Sequence, residues 1–89
     1  MSELQDMLDR IEELNGADEP MALATIVSTT GSTYRHPGAR MLIPAEGAWL
    51  GNVSGGCLED DVARIGREVM GTGKPRIATF DLTADDDAV

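Results

Sequence analysis

The chain has 89 residues, with 16 Asp and Glu against seven Lys and Arg, and a net charge of −9. This length allows one small domain or part of one. The charge excludes the broad basic face that general nucleic-acid binding needs.

The predicted elements begin with a helix over about residues 3–14. Leu4, Met7, Leu8, Ile11 and Leu14 recur on one stripe, Ser2 caps the start, and Asn15-Gly16 stops it. Pro20 precedes a run from Met21 to Ser28, apolar almost throughout and therefore expected to be a central strand. Thr29 to Gly38 has loop composition. Ala39–Ile43 reads as a second strand, Pro44–Gly47 as a hairpin turn and Ala48–Val53 as a third strand.

Ser54-Gly55-Gly56 is a tight turn into a second helix, about 57–70, with Leu58, Val62, Ile65 and Val69 on one stripe. Gly71 and Gly73 close that helix, and 76–82 reads as a fourth strand. The order helix-strand-strand-strand-helix-strand defines an α/β or α+β domain, a small sheet of about four strands with two covering helices. Only Tyr34, Trp49 and Phe80 are aromatic, so the core is aliphatic and methionine-rich. A homodimer would supply the buried area that so small a core lacks.

One cysteine forms no internal disulfide, which fits a reducing compartment, and the cytoplasm is the expected location. No apolar run approaches the roughly 20 residues that span a bilayer. The acidic, helical start is unlike a signal peptide.

Between Met21 and Leu58 the acidity disappears: Glu46 is the one acid, against Arg35 and Arg40. The same stretch holds the chain's single Tyr, His and Cys. Cys57 follows a Gly-Gly turn at a helix start, where free amides and the helix dipole favour a thiolate. It is either a reactive thiol or a small buried packing residue. Glu59 and Asp60 suit the first helical turn but oppose the thiolate.

The amides of Ser54, Gly55 and Gly56 form either an anion nest or a plain strand-to-helix turn. Arg35 and Arg40 suit phosphate or carboxylate oxygens, or pair with Glu59, Asp60 or Asp61. His36 is an acid–base candidate, or shapes the loop before Pro37. Tyr34, Ser32 and Thr33 bind a polar ligand or cap their own loop. The dinucleotide fingerprint and the nucleophile elbow are both missing, and Gly71-Thr72-Gly73-Lys74 is followed by Pro75, which rules out a P-loop. One Cys and one His do not fill a structural zinc shell of about four ligands, so no metal site is expected.

Two long segments resemble the amino-terminal domain of the XdhC/CoxI family, accessory proteins for molybdenum hydroxylases. They are Gly31-Ser32-Thr33-Tyr34-Arg35-His36-Pro37-Gly38-Ala39-Arg40-Met41-Leu42 and Gly51-x-Val53-Ser54-Gly55-Gly56-Cys57-Leu58-Glu59-x-x-Val62. Phe80-Asp81-Leu82-Thr83 also resembles a family segment, and Tyr34 stands where the family often has Pro.

The resemblance implies a maturation factor, more an accessory chaperone than a stand-alone enzyme. Such a factor holds the molybdenum cofactor (molybdopterin), supports its sulfuration with a cysteine desulfurase, and passes it to a xanthine or carbon monoxide dehydrogenase apoenzyme. On this reading Cys57 is the contact to molybdenum or to the incoming sulfur, and the candidate catalytic residue. Arg35, Arg40, Ser54, Gly55 and Gly56 hold the pterin phosphate. The resemblance further implies one amino-terminal domain over 1–89, without its last element and without the family's Rossmann-like carboxy-terminal domain. Two other readings compete: a small transferase or oxidoreductase using the Cys57 thiol, and a structural or interaction module without a ligand.

Overall fold

The computed structural model describes residues 2–28, 37–54, 56 and 58–80. Five elements follow in order: α1 (Glu3–Gly16), β1 (Met21–Thr25), β2 (Arg40–Pro44), β3 (Leu50–Gly51) and α2 (Glu59–Thr72). The strands form an antiparallel sheet in the order β1-β2-β3. This is the small α+β fold, a few-stranded sheet flanked by two helices, that the sequence predicts.

The Ser2 hydroxyl accepts from the Gln5 amide at 3.0 Å and caps α1. The helix runs two residues beyond the predicted stop. Of its apolar stripe, Met7 and Leu14 are buried, whereas Leu4 and Leu8 remain about half exposed. Gly73 ends α2 as expected: it takes a left-handed conformation (φ 71°), and its amide donates to the Val69 carbonyl at 2.8 Å.

Among the described strands the centre belongs to β2 and not to β1. Met41, Leu42, Ile43 and Pro44 are buried, while Leu23 of β1 is 54% exposed. The apolar run at 21–28 is therefore an edge, regular only to Thr25. Its residues alternate by size: the small Ala22 and Ala24 pack on the core of Met41, Ile43 and Ala63, and Leu23 points away from it. Small residues on that face let α2 come close.

The buried line on α2 is Glu59, Ala63 and Gly66, one position off the predicted stripe. The larger Val62 and Met70 flank it. A Cβ added at Gly66 would stand 2.6 Å from Ile43 Cδ1 and 3.4 Å from Ala22 Cβ. The helix thus touches the sheet through its smallest residues. Arg67 fastens its outer side, donating to the carbonyls of Pro44 at 3.3 Å and Gly47 at 3.0 Å. That closes the β2–β3 connection against α2.

Two strand expectations change. The third strand is two residues long, because Gly51 turns out of the sheet at φ 79°. The fourth, expected at 76–82, is not formed over 76–80, and 81–82 lie outside the described residues. No described strand lies beside this stretch, and Ile77 is 90% exposed. Unpaired, extended backbone gains no ladder bonds over those it makes with water. Arg76 is tied instead to α2, donating to Glu68 at 2.7 Å.

Substitution at the two close-approach glycines should separate backbone from side-chain constraints. At Gly51 a Cβ would meet the Met7 side chain and lie 2.5 Å from the Arg40 carbonyl oxygen, at a positive φ. Gly51→Ala should cost about 3 kcal/mol, the sum of left-handed strain and overpacking. Gly66→Ala should be nearly neutral, since about 1 kcal/mol of helix propensity offsets the contact with Ile43. Gly66→Val should lose about 2–3 kcal/mol. Thermal melts, at about 4–8 °C per kcal/mol for a domain this size, check the ranking; equal melting points for Gly51→Ala and wild type would refute it.

Candidate functional site

Strand register brings the two sequence motifs to one end of the sheet. Thr25 pairs with Arg40 across β1–β2, and Met41 pairs with Gly51 across β2–β3. The last residues of β1 and β3 and the first of β2 therefore share an edge. Beyond Thr25 the pairing continues: Ile26 donates to the Ala39 carbonyl at 3.0 Å, and Gly38 donates to the Ile26 carbonyl at 2.8 Å. Ser28 and Pro37, the described residues on either side of 29–36, lie beyond this end. So does the turn that follows Gly51.

That turn is organised by Glu59, the first residue of α2, which is only 5% exposed. Its Oε2 accepts from the Val53 amide at 2.8 Å and the Ser54 amide at 2.9 Å. Its Oε1 accepts from the Ser54 hydroxyl at 2.6 Å and the Gly56 amide at 2.9 Å. The Ser54 hydroxyl oxygen in turn accepts from the Leu58 amide at 2.7 Å. Gly56 sits at φ 120°, a conformation that a side chain would strain.

Burial alone would raise the Glu59 pKa. The Ser54 hydroxyl and the backbone donors outweigh it, and the carboxyl is lowered from 4.5 to about 2. The negative charge that the amides of this turn attract is thus supplied by the protein itself.

The sequence-predicted residues divide accordingly. Arg40 opens β2, is exposed, and its side chain makes no hydrogen bond or ion pair with another described residue. With Glu3, Leu4, Met7, Gly38 and Ala39 it lines an open cleft of about 240 Å³ between α1 and the strand entry. Ser54 is buried, and its amide and hydroxyl are engaged with Glu59 and Leu58; the Gly56 amide is likewise engaged. Arg35, His36, Tyr34, Ser32, Thr33, Gly55 and Cys57 lie outside the described residues.

Two features escape the sequence reading. Glu59 reads there as a first-turn acid and a candidate arginine partner, not as the acceptor that organises the turn. Its signal is a hydroxyl residue followed by Glu at a helix start, a lengthened relative of the capping box. The second is Asn52, whose Oδ1 is buried without a hydrogen-bond partner among the described residues. It follows Gly51 directly, at the same end of the sheet. Among the described residues no three His, Cys, Asp or Glu side chains group as metal ligands, and no helix is long and apolar enough to cross a membrane.

A small α+β domain with this sequence matches known proteins. The model of the XdhC and CoxI family matches residues 14–81, and the chain belongs to this family. It is 37% identical over 91 residues to a probable xanthine dehydrogenase component of Bacillus subtilis, with 98% of this chain and 26% of that protein covered. It is 41% identical over 54 residues to the molybdenum cofactor insertion chaperone PaoD of Escherichia coli, covering 61% of this chain and 17% of the relative. The crystal structure of a xanthine dehydrogenase from Bacillus halodurans superposes with a TM-score of 0.76 at 39% identity, over 98% of this chain and 25% of that one. The chain thus spans about a quarter or less of the length of these relatives.

The depressed Glu59 pKa has a consequence for acid stability. A carboxyl titrating at about 2 when folded and about 4.5 when unfolded contributes on the order of 3 kcal/mol above pH 4.5. That contribution is lost as pH falls from 4.5 towards 2. Urea unfolding should show Glu59→Gln less stable than wild type at pH 7, with the difference narrowing below pH 4.5 and closing near pH 2. A difference that stays constant across this range would refute the assignment.

Proposed function

We propose that this chain is the cargo-handling part of a molybdenum-cofactor maturation factor. It holds the cofactor, supports its sulfuration and delivers it to a molybdenum hydroxylase apoenzyme. The observation that carries this reading is the meeting, at one end of the sheet, of the clamped 53–58 turn and an Arg40 unpaired among the described residues. Kinship with a relative named as a molybdenum cofactor insertion chaperone supports it.

The residues divide the work by chemistry. Arg40, joined by Arg35, offers guanidinium donors to the pterin phosphate of the cargo. Cys57 offers a soft sulfur to molybdenum or to the sulfur being installed. The Ser54 and Gly56 amides already donate to Glu59, so these residues act by shaping the turn, and Gly55 beside them joins in holding the phosphate. The buried Asn52 Oδ1 adds an acceptor for a donor group on the cargo. Binding and transfer need no turnover by this chain, which acts as an accessory protein. A cysteine desulfurase, a Rossmann-like domain and a second copy of the chain complete the assembly in the cytoplasm.

Anaerobic titration of the purified protein with molybdenum cofactor tests this. Wild type should bind saturably, and Cys57→Ala should lose the binding. Arg40→Ala should weaken it about tenfold or more, as loss of a charge-assisted hydrogen bond does. Absence of binding by wild type would refute cargo handling by this chain and favour an interaction module. Unchanged binding by Cys57→Ala would move the contact away from the thiol.

A further inference from the structure

We propose that the outer edge of β1 is a docking surface for a second copy of this chain, whose segment 76–80 adds to the sheet there as a fourth strand. The exchange is reciprocal, each copy lending its segment to the other. It gives the second copy a defined surface and needs nothing of the cofactor reading.

The edge has free backbone to offer. The Pro20 carbonyl accepts from the Ala45 amide at 3.2 Å, and the Ile26 amide donates to the Ala39 carbonyl at 3.0 Å. Even-numbered residues here face β2, so by alternation Met21, Leu23 and Thr25 turn their amides and carbonyls outward. None of these groups bonds another described residue. Native edges are guarded by charge, proline or a bulge. Met21-Ala22-Leu23-Ala24-Thr25 has none of the three.

Helix α2 overhangs the same edge. Arg67 marks the flank of α2 that faces β3, through its bonds to the Pro44 and Gly47 carbonyls. Ile65 and Val69, two positions either side, come out on the opposite flank, about 160° round the helix. Both are only half-buried. The described sheet is thus one strand too narrow for the apolar face of its helix.

Segment 76–80, Arg-Ile-Ala-Thr-Phe, suits the place: it is rich in β-branched and aromatic residues, and Pro75 stands before it. Its backbone bonds no other described residue, and Ile77 is 90% exposed. Edge and segment belong to one chain and are both unpaired within it, which leaves the pairing to a second chain. Charge favours this contact although each copy carries −9: the stretch 74–80 holds Lys74 and Arg76 and no acid. Asp18 and Glu19 precede β1. Parallel pairing sets the two cations at that acidic end, whereas antiparallel pairing sets them beside Val27. In the parallel register Ala78 lies opposite Leu23, and Ile77 joins Ala22 on the α2 face. The Thr79 amide then donates to the Leu23 carbonyl, and Pro75, with no amide, has only to accept.

The purified chain is tested without cofactor. Sedimentation velocity at about 100 μM, well above micromolar dissociation constants, should show a dimer. Thr79→Pro removes a ladder donor at a site that is unpaired in the single chain, and Leu23→Lys guards the edge. Each should raise the dissociation constant about tenfold or more, with circular dichroism recording the fold. A monomeric wild type overturns the proposal, and so does a folded Thr79→Pro chain that dimerises as wild type does. If Thr79→Pro fails to fold, Leu23→Lys carries the same test.

Cross-linking reads the register. In a Cys57→Ala background, which leaves no other thiol, a chain with Leu23→Cys is mixed with a chain with Ala78→Cys. Mild oxidation should join them about tenfold faster than it joins Glu12→Cys with Ala78→Cys, because opposed strand residues lie within disulfide reach. A rate equal to that control overturns the proposal. So does a cross-link confined to single chains that carry both cysteines, which would put the strand on its own sheet. A failed cofactor titration and a failed strand exchange remain distinguishable, since no readout here involves molybdenum.

Discussion

The Glu59 carboxylate is the constraint on which one end of the sheet, and the turn into α2, depends. Among the described residues four donors converge on it, and three of them belong to backbone that would otherwise leave the sheet without a partner. A buried carboxylate without such donors would take up a proton. With them it stays ionised, and its charge becomes the fixed point for Val53, Ser54 and Gly56, with Leu58 joined through the Ser54 hydroxyl. Because the same residue begins α2, the turn and the helix are one unit.

That unit is seated on the sheet by the absence of bulk. Ala22, Ala24, Ala63 and Gly66 form the contact face, and the side chains that fill it are Met41 and Ile43 of β2. Gly51 makes the corresponding allowance at the other side, where α1 brings Met7 against the end of β3 and the Arg40 carbonyl. The strand ends and the turn are thereby gathered at one end of the domain. A guanidinium unpaired among the described residues, a clamped turn and a buried amide oxygen share that end. In an acidic protein such an arginine is conspicuous, because carboxylates are plentiful.

Family membership frames this geometry. The chain corresponds to about a quarter of relatives named for xanthine dehydrogenase and to a smaller share of a cofactor insertion chaperone. The matched region includes both motifs and the helix that clamps the second.

By itself the sequence determined the family, both helices, the order of the described elements and the glycine that ends α2. These follow from local rules: 3.6-residue periodicity, a Ser cap, a left-handed glycine, and two motifs whose spacing survives without a third dimension. It also indicated the sheet, but placed the apolar run at 21–28 in the centre and a strand at 76–82, which is not formed over the described 76–80. Strand position is decided by which neighbours arrive, and apolar content alone does not carry that information. The tertiary structure alone decided that β2 is central and that Arg40 and the 53–58 turn share one end. It alone showed that the Ser54 and Gly56 amides, expected to receive an anion, already hold Glu59. That last outcome depended on a side chain reaching backward across a turn, a contact set by three-dimensional closure.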